Sequence, residues 1–175
     1  ARPGGDLIVK VLLERGADPN IADKTPSITP NGAFSGGNTA LIEAARFRDG
    51  KSLRLMIGAK ADVNGKNAHG ATPLCYAILH GNIENARALA AAGADVNVKM
   101  DDGTTPLILA LQREDAHATA LVLDRGADFS SADMAGNTPL MWAAYSETGK
   151  PELVRMLLAK GANLNSRNKA NETAL

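Results

Sequence analysis

The sequence predicts an all-α fold of short helices repeated at a fixed period, and three observations carry that reading. Of the 175 residues, Ala supplies 31 and Leu 20, which favours close-packed helices. Aromatics make up only 3%, too few for a large aromatic-centred sheet domain. Seventeen Gly and eight Pro are scattered along the chain, so the helices are short and often interrupted. These interruptions are also periodic.

Thr39-Ala40-Leu41, Thr72-Pro73-Leu74, Thr105-Pro106-Leu107 and Thr138-Pro139-Leu140 follow one another at spacings of 33 residues. A glycine lies two residues before each Thr: Gly37, Gly70, Gly103 and Gly136. A last partial copy, Thr173-Ala174-Leu175, comes 35 residues after Thr138. A second marker keeps the same phase. It reads Gly16-Ala17-Asp18, Lys60-Ala61-Asp62, Gly93-Ala94-Asp95, Gly126-Ala127-Asp128 and Gly161-Ala162-Asn163, at spacings of 44, 33, 33 and 35.

Each element has a local reason. Asp6 to Asn20 reads as a helix with Leu7, Ile8, Val11, Leu12 and Leu13 on its apolar face, and it lacks the partner helix that the later repeats supply. In the repeats, Thr before Pro is a sound helix start. The hydroxyl caps orphan N–H groups, and Pro in the first turn has no N–H to satisfy. Leu74, Ala77 and Ile78 then form one stripe. The second helix, Ile83 to Ala92, carries Ile83, Ala86, Leu89 and Ala90 at helical spacing. Gly93 stands where that helix ends, in a position that favours left-handed backbone. Lys60 replaces this Gly one repeat earlier and predicts mild strain or an altered cap. Asp95-Val96-Asn97 leads into an extended arm, and Gly103 permits the tight turn before the next helix.

A 33-residue unit with a turn, Thr-Pro-Leu opening one helix and Leu-Leu-x-x-Gly-Ala-Asp closing a second, resembles the ankyrin repeat over essentially all of residues 5–175. The resemblance implies an ankyrin-repeat solenoid of stacked helix-turn-helix units with hairpin-like connecting loops. It divides a single domain, 1–175, into a partial repeat at 5–36 with an inserted loop at 24–36, then repeats at 37–69, 70–102, 103–135 and 136–170. A further repeat starts at 171–175. Terminal repeats normally carry polar outer faces, and neither end does so here, so we expect a fragment of a longer array or larger protein. The insertion adds 11 residues between Asn20 and Gly37, and Ile28 and Phe34 within it tilt its reading toward contact with a partner over a tolerated loop. A smaller insertion, Glu147-Thr148, lengthens the helix–helix turn of the last full repeat and reads as neutral. The family's motif usually has His after Thr-Pro-Leu, tying neighbouring loops by hydrogen bonds. Here Ile42, Cys75, Ile108 and Met141 stand there, so packing alone is expected to hold the repeats together.

Composition narrows the function classes. Nineteen Lys plus Arg against 19 Asp plus Glu give net charge 0, without the basic excess of a general nucleic-acid binder. No apolar run approaches the roughly 18 to 20 residues of a membrane span. Absence of an apolar signal core and a single cysteine, Cys75, set a cytoplasmic default. His69, His80 and His117 fall into no metal-ligand spacing, Cys75 has no second cysteine to pair with, and no Gly-rich loop precedes Lys-Ser/Thr. We therefore expect no catalytic residue, no metal and no cofactor.

The expected activity is recognition of a protein partner. The resemblance implies contacts flanking the turn Gly and at the exposed end of each first helix, on the concave face. Carried over residue by residue, it gives Ser35, Asn38, Arg46 and Phe47 in the first full repeat. The second offers His69, Ala71, Leu79 and His80, with Lys66 on the arm entering it. Asp101, Asp102, Gln112 and Arg113 follow in the third, and Met134, Asn137, Tyr145 and Ser146 in the fourth. Helical spacing adds Tyr76, four before His80, and Trp142, four before Ser146. Tyr, Trp and Arg are the usual hot-spot types at interfaces, although Tyr76 and Trp142 read equally well as bridges between adjacent repeats. Partner identity is not encoded. The expected state is a monomer, with association through its uncapped ends left open. The rival reading is a structural spacer or a regulatory appendage of a larger multidomain protein or enzyme.

Overall fold

The computed structural model describes residues 5–23, 27–28, 34–47, 50–146 and 150–175. The chain forms two compact units, Ala1–Asp95 and Val96–Leu175. The first holds α1 (Gly5–Glu14), a two-residue pair of strands, β1 (Ser27–Ile28) and β2 (Phe34–Ser35), then α2 (Ala40–Arg46), α3 (Gly50–Gly58), α4 (Pro73–Leu79) and α5 (Ile83–Ala91). The second holds α6 (Pro106–Gln112), α7 (Ala116–Asp124), α8 (Pro139–Ala144) and α9 (Pro151–Ala159). This is the expected all-α repeat.

The first helix of each full repeat begins where Thr stands. The Thr39, Thr105 and Thr138 hydroxyls accept from the backbone N–H of Ile42, Ile108 and Met141 at 3.4, 3.3 and 3.4 Å. Thr72 makes no such cap; its hydroxyl faces the Cys75 sulfur at 3.5 Å. Second helices end in a shared motif. Ala61, Ala94, Ala127 and Ala162 donate to the carbonyl five residues back, on Met56, Leu89, Val122 and Leu157, at 2.9 to 3.1 Å. Closing that bond puts the preceding residue in left-handed backbone, which Gly93 (φ 90°) takes cheaply and Lys60 (φ 62°) does not. The strain expected at Lys60 is real.

In the first unit α2 packs on α3 and α4, α4 on α5, and α3 joins α1 to α5. Leu41, Ile42, Leu53, Leu74, Ile78 and Leu89 are fully buried between them. In the second, α6 packs on α7 and α8, and α9 on α7 and α8, around Leu107, Ile108, Leu111, Leu140, Met141 and Leu153. The four residues after the Thr-x-Leu starts are thus core: Ile42, Cys75, Ile108 and Met141 are at most 1% exposed. Burial pushes the Cys75 thiol above its ordinary range. No side chain of α1 is buried, and Leu7, Ile8, Val11 and Leu12 are all more than half exposed.

The packing-only expectation is corrected. Asn20 Oδ1 accepts from the Asp62 N–H at 2.8 Å, Asn64 Oδ1 from Asp95 at 2.8 Å, and Asn97 Oδ1 from Asp128 at 2.7 Å. The amides of Asn64 and Asn97 donate on to the carbonyls of Gly93 and Gly126. In turn Asp18 and Asp62 accept from the N–H of Asn20 and Asn64, at 2.9 Å each. The Asn of each Asp-x-Asn at 18–20, 62–64 and 95–97 is therefore a step in a hydrogen-bond relay between neighbouring repeats. Where Ser130 replaces Asn, its hydroxyl turns back to Asp128 at 2.6 Å and holds that carboxyl below its ordinary range.

The insertion begins just past the Ala22–Thr39 bridge and carries antiparallel β1 and β2, with Ser27 opposite Ser35 and Ile28 opposite Phe34. Residues 24–26 and 29–33, and Glu147-Thr148 of the smaller insertion, lie outside the described residues.

Candidate protein-interaction surface

Turn geometry comes first, because it decides which polar side chains are free to meet anything. Three residues before the turn glycine, Asn67 accepts from the N–H groups of His69 and Ala71, both at 3.0 Å. Asp133 does the same for Ala135 and Asn137, and Asn168 for Ala170 and Glu172. In each of the three, Oδ1 thereby takes both backbone N–H groups. The amide of Asn67 donates to Asn38 Oδ1 at 2.9 Å, and that of Asn168 to Asn137 Oδ1 at 2.8 Å. A second amide ladder thus lies under the turns.

In the first unit, the C-terminal ends of α2 and α4 each carry an exposed apolar group. Phe47, the C-cap of α2, is 51% exposed, and Leu79 is 44% exposed. His80 is exposed, and its ring lies 6.1 Å from that of Tyr76. Arg46 pairs with Glu43 at 3.0 Å. Beneath this rim, Asn82 and Asn85 are buried and donate to the last carbonyls of α2: Asn82 to Ala45 and Arg46, Asn85 to Phe47 at 2.6 Å. Those carbonyls have no partner within their own helix, so the two amides close the end of α2 from the next repeat.

In the second unit, the ends of α6 and α8 enclose a groove of about 440 Å³ lined by Gln112, Arg113, Glu114, Trp142, Tyr145 and Ser146 over Leu111. Tyr145 is 53% exposed. Glu114 stands in left-handed backbone (φ 52°), held by Ser146 Oγ on its carboxylate at 2.7 Å and by Lys150 Nζ on its carbonyl at 2.7 Å.

A model of the family described as ankyrin repeats (three copies) matches residues 1–100 and 95–168. The chain belongs to the ankyrin-repeat family. Protein PhlB of Serratia liquefaciens is 43% identical to this ankyrin chain over 74 residues, a match taking in 42% of the chain and 28% of PhlB. Among the described residues no helix is long and apolar enough to cross a membrane, and no group of three or more His, Cys, Asp or Glu is placed to hold a metal ion.

Set on the ankyrin scaffold, the predicted contact residues divide. Gln112, Arg113, Trp142 and Tyr145 come together in one groove. Phe47, Lys66, Leu79, His80, Asp101 and Asp102 are exposed, and Arg46 and His69 partly so. Ser35 is placed by its backbone alone, on β2. Asn38 is corrected: it is 3% exposed and bonded to Glu43 and Asn67, so it cannot present its amide to a partner. Asn137, half-buried, is likewise bound to Asp133 and Asn168. Tyr76 takes the Asn67 amide on its hydroxyl, and the Trp142 indole N–H donates to Asp133 at 3.0 Å, so both polar tips serve the turns while the rings stay partly open. Ala71 is buried. Glu114 was not picked out from the sequence. The available signal is an acidic residue at the place where the preceding repeat has Gly81, at φ 66°.

Proposed function

We propose that this ankyrin array is a non-catalytic interaction module that binds a protein partner on its concave face, through the hairpin tips and the exposed ends of the first helices. Ankyrin repeats generally mediate protein–protein interaction. The observation that carries the finer reading is the placement of large apolar groups at the ends of first helices, where the core does not need them. Phe47, Leu79 and Tyr145 are each more than two-fifths exposed, although hydrophobic burial favours covering such side chains. Tyr145 lies beside Arg113 and Gln112, the mixture of aromatic, guanidinium and amide groups that interface hot spots favour.

Affinity capture with the whole chain tests this reading, set against the double variant Phe47→Ala plus Tyr145→Ala. The expected outcome is a captured protein whose yield falls about tenfold or more with the variant, the scale of one or two lost aromatic anchors. If nothing is captured, or the yield is indifferent to the pair while the variant keeps its melting temperature, the surface is not the binding face and the spacer reading takes its place.

A further inference from the structure

We propose that Asn64-Gly65 is a self-modification site: attack by the Gly65 backbone nitrogen converts the Asn64 amide to a carboxylate and so uncouples two neighbouring repeats. Asn fills the relay position at 20, 64, 97 and 165, and the residue after it is Ile21, Gly65, Val98 or Ser166. Only at Asn64 is that next residue glycine, which has no Cβ to crowd an approach by its own nitrogen. The fold does not ask for this glycine. Gly65 is not in left-handed backbone, and a Cβ there would lie 3.4 Å from the Asp62 carbonyl oxygen, an ordinary contact. Asn64 is exposed, so water reaches it.

The reaction needs water alone. The Gly65 nitrogen, its proton given up to a base in the solvent, bonds to Asn64 Cγ; the Cγ–Nδ2 bond breaks and ammonia leaves. Water then opens the resulting imide ring. Cleavage at Cγ leaves aspartate at position 64. Cleavage at the backbone carbonyl leaves isoaspartate, with the main chain rerouted through the side chain.

In the closed relay both reacting groups are held. Asn64 Oδ1 accepts from the Asp95 N–H at 2.8 Å, and its Nδ2 donates to the Gly93 carbonyl at 3.2 Å. The Gly65 N–H donates to the Asp62 carbonyl at 3.3 Å. Attack therefore waits on local opening of this contact, and the reaction is a clock that counts how often the two repeats part there. The product does not restore both bonds: a carboxylate has no N–H for the Gly93 carbonyl, and isoaspartate adds a backbone carbon to the turn. The broken step joins the repeat that presents Phe47 to the repeat that presents Leu79, both within the first compact unit.

The experiment ages the whole chain in warm, mildly alkaline buffer and maps it with trypsin. Cleavage after Lys60 and Lys66 isolates Asn64 from the chain's other Asn-Gly, Asn31-Gly32. The expected peptide gains the mass of an amide-to-acid exchange and is methylated by protein isoaspartate methyltransferase, while the peptide holding Asn97 stays unchanged. The reaction runs faster in urea, where the relay is open. It is lost in Gly65→Ala both in buffer and in urea, so that result holds whether or not the variant folds. Asn64→Asp, the direct mimic of one product, unfolds at a lower urea concentration than the parent. An unreacted Asn64, equal rates in buffer and urea, an undiminished reaction in Gly65→Ala, or an Asn64→Asp midpoint equal to the parent's overturns the proposal. None of these readouts involves a partner, so the module reading is tested separately.

Discussion

Lys60 is a test of how a single backbone angle is tolerated. It holds φ 62° at the end of α3 because Ala61 must reach the Met56 carbonyl, and its Cβ makes that conformation costly by roughly 1 kcal/mol. Lys60→Gly is expected to stabilise the chain by about 0.5–1 kcal/mol, read as a raised midpoint in urea with unchanged slope. Glycines with the same sign of φ do not all carry the same demand. A Cβ at Gly93 meets nothing within 4 Å, whereas at Gly103 it lands 2.8 Å from the Met134 backbone nitrogen. Gly93→Ala should therefore cost about 1 kcal/mol, from backbone strain alone. Gly103→Ala adds a backbone clash and should cost about 3 kcal/mol or more. Equal costs for the two in thermal unfolding would mean that the turn yields.

At the scale of the element, α2 is a seven-residue helix whose end is completed by its neighbour. Asn85 is 1% exposed and sits on the packed face of α5, with its amide on Phe47 O. Removing it takes the donor from the Phe47 carbonyl, while Asn82 still serves those of Ala45 and Arg46. Asn85→Ala is expected to cost about 1–3 kcal/mol, and Asn85→Asp as much, since a carboxylate has no N–H to give. Hydrogen exchange at the last turn of α2 should rise in both. The helices themselves were legible, because Thr-Pro-Leu and Gly-Ala-Asp are local chemistry that fixes a start and a stop. The polar contacts were not. A lone Asn reads as surface on any apolar–polar pattern, and only the stacked neighbour shows that Asn38, Asn82 and Asn85 are buried. The four-apart pairing of Tyr76 with His80 was legible for the same reason as the helices, since both residues belong to one turn of α4.

For the molecule as a whole, the Asp-x-Asn relay makes stability a sum of similar neighbour terms, as expected of a repeat array. Asn64 and Asn97 hold the same place in successive repeats: one bonds Gly93 and Asp95, the other Gly126 and Asp128. Asn64→Ala and Asn97→Ala should each cost about 1–2 kcal/mol. Their double variant should lose the sum to within about 0.5 kcal/mol in urea unfolding. A double variant no worse than either single change would show that the relay is not independent step by step.

That relay also sets where the chain tolerates added length. Its closures at Asn64–Asp95 and Asn97–Asp128 span 31 residues, whereas the one at Asn20–Asp62 spans 42 and still closes at 2.8 Å. The surplus is the hairpin insertion, which leaves and returns beside the Ala22–Thr39 bridge. Spacing along the stack is gauged by two amide contacts and not by the amount of polypeptide threaded between them. The hairpin is therefore a splice point: new sequence can be grafted there, and diversified, without re-registering the helices on either side.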